Sequence, residues 1–430
     1  MTYQNRLLKA IPGGAHTYSR GYDQYPSNAP QIFKRGKGAY LYDEHENEFL
    51  DYGMALRAVN LGYANDKINQ AALQQMEYGN NLTRASLIEL EAAELLIETI
   101  DSVDMVKFTK NGSTATTAAV KLSRAYTGRL MVARCEEQPF FSYDDWFIAS
   151  TPITKGIQQK DIDNTKLFNY NNIKSLENLF KEYPEDISCV ILEPAASEHP
   201  KDNFLHKVKE LCKQYGAVFI LDEMITGFRW HLKGAQYYYN IEADLCTFGK
   251  AMANGFSVAA VAGKREIMEL GSIEKEGQER LFLLSTTHGA EMNGLGAFVE
   301  SVKFIKENNV IAHIWDFGEK LINLMNTTAK ECGVEKYFIS GGVACSPYYL
   351  TFDKEGNNSL GLRTLFAQEM IKHKVMMPWI AISYAHGEKE LMLTKKALEK
   401  TFEVYAKAVR EGYEKYLVGD VIRPVFRKYN

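Results

Sequence analysis

Lys250 and Asp222 are the residues of this chain whose types and settings point to chemistry. The lysine stands in DLCTFGKAMANGFSVAAVAG, residues 244–263, between an apolar run and a glycine-punctuated turn. An amine held in apolar surroundings loses solvation of its ammonium form, so its pKa falls and it can attack an aldehyde to give a Schiff base. Twenty-eight residues upstream, AVFILDEMITGFR carries Asp222 and Glu223 at the end of a predicted strand, 217–221. A carboxylate placed there can hold a pyridine nitrogen protonated, so that the ring takes up the electrons of a carbanion formed next to an imine. Singly, such an acid also serves as a helix cap, and such a lysine also reaches solvent. Together they point to pyridoxal phosphate, with Lys250 on the aldehyde and Asp222 on the ring nitrogen.

A third stretch, KNGSTATTAAVKLSRAYTGR, opens on a polar glycine turn and continues as a predicted helix, with Ala118, Leu122 and Ala125 or Tyr126 on one face and Gly128 after its last turn. Free N–H groups and the helix dipole favour a phosphate at such an N-terminus, where Gly112 lets the main chain come close and Ser113 and Thr114 add hydroxyls. The alternative is that Ser113 or Thr114 only caps the helix.

The elements that must position these residues follow a βα rhythm. MVKFT, RLMVARC, SCVILEP, AVFILDE, DLCTF and VAAVAG are strand candidates between residues 104 and 263, which predicts a mostly parallel sheet. Leu205, Val208, Leu211 and Cys212, with Gly216 as a stop, predict a crossover helix. In such sheets ligands sit outside the carboxyl ends of the strands, where Asp222 falls. Residues 1–65 predict a small peripheral sheet with a hairpin in QIFKRGKGAYLYDEHENEFLDYG. After Gly289 the pattern is helical, then a glycine-led strand, SGGVACSPYYLTF, then a long charged helix from 389 to 416 whose charges read as a solvated face.

A chain of 430 residues with 46% hydrophobic and 24% charged residues is globular, and its length predicts two domains. A net charge of -4 with no basic stripe predicts no nucleic-acid partner. Six scattered cysteines form no CxxC pair, and the nine histidines form no HxH or HExxH cluster, so a metal site and a metal hydrolase are set aside. No apolar run approaches 18 residues and no leader pattern is present, which predicts no membrane partner and a soluble cytoplasmic protein.

These motifs, in this order, resemble the class III (subgroup II) aminotransferases of fold type I and, among them, the glutamate-1-semialdehyde 2,1-aminomutases. The resemblance runs from about residue 6 to 405 and rests on IPGG, KGAYLYDEHENEFLDY, NGSTATTAAVKLSRAYTGR, LDEMITGFR, TFGKAMANG and STTHGAEMNGLGAF. It implies an α/β fold: a large cofactor domain (66–300) with a seven-stranded, mostly parallel sheet, and a small α+β domain from both chain ends (1–65 and 301–430). It further implies a homodimer with shared active sites. Position by position, Lys250 resembles the cofactor lysine and Asp222 the ring-nitrogen partner. Gly112, Ser113 and Thr114 fall on the phosphate turn, and Thr286 on the threonine that reaches the phosphate from the neighbouring subunit. Met224 matches the apolar residue packed on the ring, Glu193 the glutamate of the EP motif, and Arg20 an arginine that binds the substrate carboxylate.

Several positions depart from that pattern. Phe140, in PFFSYDDWF, stands where a tyrosine stacks on the cofactor, and Thr114 where a glutamate is usual. His288, Gly289, Ala290 and Glu291 replace an SGNP segment, and Glu198 takes the place of an asparagine near the cofactor's phenolic oxygen. MALRAVNLGY replaces a stretch with tryptophan and proline and adds Arg57 as a further anion contact. The resulting expectation is an aminotransferase that moves an amino group from a small amino-acid donor to an aldehyde or ketone acceptor by ping-pong kinetics. The alternatives are the aminomutase itself, other chemistry of the same cofactor such as racemisation or decarboxylation, and a cofactor-binding protein without turnover.

Overall fold

A computed structural model describes residues 1–289 and 291–430 and divides them into two compact units, Asp66–Ile311 and Met1–Asn65 with Ala312–Asn430. In chain order the strands are β1 (Phe33–Lys37), β2 (Tyr40–Asp43), β3 (Glu48–Asp51), β4 (Met105–Thr109), β5 (Met131–Cys135), β6 (Thr165–Phe168) and β7 (Ile187–Leu192). They continue with β8 (Val218–Asp222), β9 (Leu245–Phe248), β10 (Ala259–Gly263), β11 (Phe338–Val343), β12 (Ser346–Thr351) and β13 (Val375–Met376).

The unit Asp66–Ile311 is built on a seven-stranded sheet in the order β4-β10-β9-β8-β7-β5-β6. Only β10 runs against its neighbours, so the sheet is mostly parallel, as expected. Every residue of β5, β7, β8, β9 and β10 is buried, which is why these strands read as predominantly apolar and not as alternating, with Arg134, Ser188, Asp222 and Thr247 the buried polar exceptions. One strand escapes that signal. β6 is a four-residue edge strand, TKLF, buried only at its two ends, and the sequence pattern gave it no weight. The crossover helix Phe204–Tyr215 buries Leu205, Val208 and Cys212 and ends on Gly216 at φ 67°, a left-handed cap that glycine adopts without strain. No helix among the described residues is long and apolar enough to cross a membrane.

The other unit holds the sheet β1-β2-β3-β13 and the pair β11-β12. Two sequence expectations are corrected here. The predicted hairpin is a three-stranded meander, because Asp43 accepts N–H groups from His45 and Asn47 and so folds a second turn between β2 and β3. The single glycine-led strand is an antiparallel pair that turns at Ala344 and Cys345. The charged helix spans Glu388–Glu411 and is solvated on one side only, since Ala397, Leu398, Phe402 and Tyr405 are buried.

Candidate active site

Sheet register brings four chain segments to one end of the sheet. Thr109 of β4 pairs with Ala259, Ala260 with Phe248 of β9, Thr247 with Asp222 of β8, and Leu221 with Leu192 of β7. The antiparallel β10 leaves β4 parallel to β9, so residues 110–113, 193, 222–224 and 249–250 all leave the sheet at the carboxyl ends of its parallel strands. This is where parallel α/β sheets hold ligands.

Met224 packs between two of these segments. A Cβ added at Gly112 would lie 2.8 Å from its sulfur, and one added at Gly249 would lie 2.7 Å from the same atom. The glycine before the helix and the glycine before Lys250 therefore form hollows that Met224, 5% exposed, fills. Lys250 follows directly with φ 45°, a left-handed conformation that costs a non-glycine residue about 1–3 kcal/mol and that clusters at functional sites.

Asp222 is buried, and its Oδ1 accepts the Met224 N–H at 2.9 Å and the Thr247 hydroxyl at 3.0 Å. Both bonds fall on one oxygen, Oδ1. Burial pushes the carboxyl pKa up, against the Lys250 charge and these two hydrogen bonds, which all pull it down. Neighbouring Glu223 faces the other way. It accepts N–H groups from Ala235 and Gln236, each at 2.9 Å, and the hydroxyl of Thr226, so its carboxylate is spent on the start of the helix Gly234–Tyr238.

The helix Gly112–Thr127 is capped by Asn111, whose side chain accepts the Thr114 N–H at 2.9 Å. The alternative of a Ser113 or Thr114 cap is thereby corrected: the Thr114 hydroxyl donates to the same Asn111 oxygen, and Ser113 Oγ accepts the Tyr143 N–H at 3.1 Å. Asn111 was missed because a serine and a threonine follow it, although an asparagine before glycine was the available signal. With the Thr114 N–H taken, the N–H groups of Gly112 and Ser113 stand at the first two helical positions, where no intrahelical acceptor exists. The predicted apolar face stops at Leu122, since Ala125 and Tyr126 are exposed.

The Tyr143 bond to Ser113 and a Thr117–Asp144 contact hold the segment of Phe140 on this helix. The Phe140 ring is 47% exposed and meets Phe147 edge-on at 5.6 Å. Glu193 is buried and tied through its backbone to Gln138 by two bonds, at 2.7 and 3.0 Å. Beside the phosphate turn, Lys110 pairs with Glu291, whose other oxygen lies 3.3 Å from His288. Thr286 is exposed in an irregular stretch, and Ala290 lies outside the described residues. Glu198 pairs with Lys201 on the surface.

Arg20 and Arg57 belong to the other unit. Arg20 is exposed at the end of a short 3-10 turn, Tyr18–Arg20, with no carboxylate partner among the described residues; burial raises the phenol pKa values of Tyr25 and Tyr63, and the Arg20 charge opposes that rise. Arg57 closes the run Met54–Arg57, in which all four residues have left-handed φ between 40° and 67°. That strained turn is held from below by Asp51, which accepts the N–H groups of Gly53 and Met54 and the Tyr63 hydroxyl, all within 2.8 Å.

A family model described as aminotransferase class-III matches residues 21–337. The chain belongs to the class-III aminotransferases. Among curated proteins it is 29% identical to a glutamate-1-semialdehyde 2,1-aminomutase of Thermosipho africanus, over 94% of this chain and 98% of that one. It is 30% identical to a 3-aminobutyryl-CoA aminotransferase of Cloacimonas acidaminovorans, over 93% and 96% of the two chains. Among solved structures, the pyridoxal-phosphate-bound internal aldimine form of the FumI protein of Sphingopyxis sp. MTA144 superposes with a TM-score of 0.86 at 25% identity, over 95% of this chain and 97% of that one. The class-III fold, fold type I, is thus the frame that carries Lys250, Asp222 and the Gly112 turn.

Proposed function

We propose that this class-III protein is a pyridoxal-phosphate-dependent aminotransferase acting between an amino-acid donor and an aldehyde or ketone acceptor. The observation that carries the reading is Asp222: a buried carboxylate that accepts the Met224 N–H and the Thr247 hydroxyl and feels the Lys250 charge, at the strand ends shared with Lys250 and with the N-terminus of the Gly112 helix. A buried carboxylate is costly alone and is relieved by a cationic N–H, which a protonated pyridine ring provides. The Gly112 turn supplies donors for a phosphate. These residues fit the cofactor on their own chemistry.

When bound, the cofactor supplies an aldehyde that captures amines and a ring that delocalises the electrons of a deprotonated α-carbon. Asp222 keeps the proton on the ring nitrogen. Lys250 Nζ would hold the cofactor's aldehyde and, as a free amine, would serve as the base and acid that moves the substrate's α-proton. Gly112 and Ser113 bind the phosphate through their N–H groups, with the Thr114 hydroxyl at the same turn. Met224 and Phe140 would pack on the cofactor ring, and Glu193 would belong to the same site. Arg20 binds the substrate carboxylate, with Arg57 as a second cationic contact.

The same reading includes a homodimer, in which Thr286 reaches the partner's phosphate. Leu73, Met76, Tyr78, Leu82, Leu87 and Leu90 support it, each at least half exposed on one stretch of chain. A cytoplasmic location is supported by six free thiols and no disulfide.

The second reading is the aminomutase, which one of the two relatives named above favours at nearly the same identity as the aminotransferase. The test is titration of the holoenzyme with L-glutamate, following the visible band while 2-oxoglutarate is assayed. Bleaching with equimolar 2-oxoglutarate supports intermolecular transfer. A band untouched by glutamate but altered by glutamate 1-semialdehyde, with no keto acid released, supports the aminomutase.

A further inference from the structure

Arg20 sits in a segment that cannot hold itself. Residues 17–25 form only two three-residue 3-10 turns, Tyr18–Arg20 and Tyr22–Gln24, closed by local bonds such as Gly21 N–H to Tyr18 O at 2.8 Å. Such turns are too short to be stable alone. What fixes them comes from the far end of the chain. Arg427 pairs with Asp23 at 2.7 Å, with both side chains largely covered. The Arg423 N–H donates to Asp23 O at 3.0 Å, and the Gln24 side-chain amide donates to Arg423 O at 2.9 Å. The Asp23 carboxylate in turn covers Gly21, the residue next to Arg20: a Cβ there would lie 2.8 Å from Asp23 Oδ1. The tail is itself moored on the helix Leu360–Lys372, through Val418 N–H to Gln368 at 2.8 Å and Ile422 N–H to Thr364 at 3.0 Å.

We propose that the C-terminal tail, residues 417–430, is a strap that positions Arg20 and thereby sets the affinity for the substrate's carboxylate. Asp23 and Arg427 are positioning residues in this scheme. The inference rests on the reading of Arg20 as the carboxylate anchor and assigns that anchor its support. Three tail contacts fall on the two residues Asp23 and Gln24, within four positions of Arg20, so loosening the tail frees the segment that carries the guanidinium.

The test uses the holoenzyme with whichever of L-glutamate, L-alanine and 4-aminobutyrate bleaches its visible band. Arg427→Ala is expected to raise KM for that donor about tenfold with kcat within about twofold, the signature of a displaced binding group. Arg427→Lys is expected to restore most of the affinity, and amide exchange in residues 17–25 is expected to quicken in Arg427→Ala alone. In an Arg20→Ala background, Arg427→Ala should add no further change in KM, which a merely structural role for the tail would not produce. If Arg20→Ala raises KM while Arg427→Ala and removal of residues 417–430 do not, the strap is refuted and the anchor stands. If Arg20→Ala leaves KM unchanged, or only donors without a carboxylate react, the anchor reading falls and the strap with it.

Discussion

Gly112→Ala is the perturbation whose size follows most directly from the coordinates. Its new methyl would lie 2.8 Å from Met224 Sδ and 3.4 Å from both Cε and Cγ, whereas unstrained heavy atoms meet at about 3.5–4.0 Å. The sulfur must retreat by roughly 0.7 Å or more, and Met224 is nearly buried, packed with Ala115 and Ala259. Overpacking of this kind costs about 1–3 kcal/mol, or about 5- to 150-fold in an equilibrium constant. On the proposal that the Gly112 and Ser113 N–H groups hold the phosphate, the strain falls at the binding turn, and fluorescence titration of the apoprotein with pyridoxal phosphate should show a dissociation constant raised within that range. Gly249→Ala should act alike through the same sulfur. Met224→Ala should relieve either substitution, so that each double variant binds more tightly than its glycine-to-alanine parent. Wild-type affinity in Gly112→Ala, or no relief by Met224→Ala, would refute the placement of the phosphate at this turn.

Lys250→Ala should abolish turnover and the visible band of the lysine-bound cofactor. Lys250→Gly should do the same while stabilising the apoprotein by about 1 kcal/mol in denaturant melts, because φ 45° suits glycine. Asp222→Asn should separate stability from activity. Burial raises the folded carboxyl pKa above its unfolded value, so the folded state binds the proton more tightly and stability is lost as pH rises through that interval. At neutral pH the amide removes this cost, and apo Asp222→Asn should melt above the wild type while holoenzyme kcat falls on the order of 100-fold or more; a lower apo melting point would contradict the argument. His386 should limit acid stability. It is buried, its Nδ1 accepts the Ser383 N–H at 3.0 Å, and burial lowers its pKa to about 4 from 6.5. The unfolded state therefore binds the proton first, and about 3 kcal/mol of stability is lost between pH 6.5 and 4. Melts of His386→Asn should be lower at pH 7 yet flatter across that window.

The core of the fold was legible because chemistry and burial coincide along it. β5, β7, β8, β9 and β10 are buried throughout, and their largely apolar runs are the signal that a sequence carries most plainly. Where burial is partial the signal fades. The edge strand β6 offers four residues, two of them buried, and the turns at 44–47 and 344–345 depend on local hydrogen bonds and on pairing with distant partners. At the candidate site, motif order indicated Lys250, Asp222 and the Gly112 turn. It could not show the left-handed backbone of Lys250 or the left-handed run Met54–Arg57, since no glycine marks either. Nor could it show Thr247, whose bond to Asp222 depends on the register of β8 against β9.

Asp222 and Glu223 show why register matters more than residue type. Side by side in the chain, the two acids leave the strand end on opposite sides, as strand alternation requires. Burial raises both pKa values. Glu223 is answered from within the chain by two N–H groups and a hydroxyl shared over both of its oxygens. Asp222 is answered on Oδ1 by one N–H and one hydroxyl, and by the charge of Lys250. The first acid is engaged in folding; on the proposed reading, a cationic ring N–H would relieve the desolvation of the second, so that the burial which destabilises the apoprotein would favour the bound cofactor. Lys250 follows the same logic in the backbone, holding a left-handed conformation two residues beyond β9. Both costs fall at the one sheet edge where the Gly112 turn also opens.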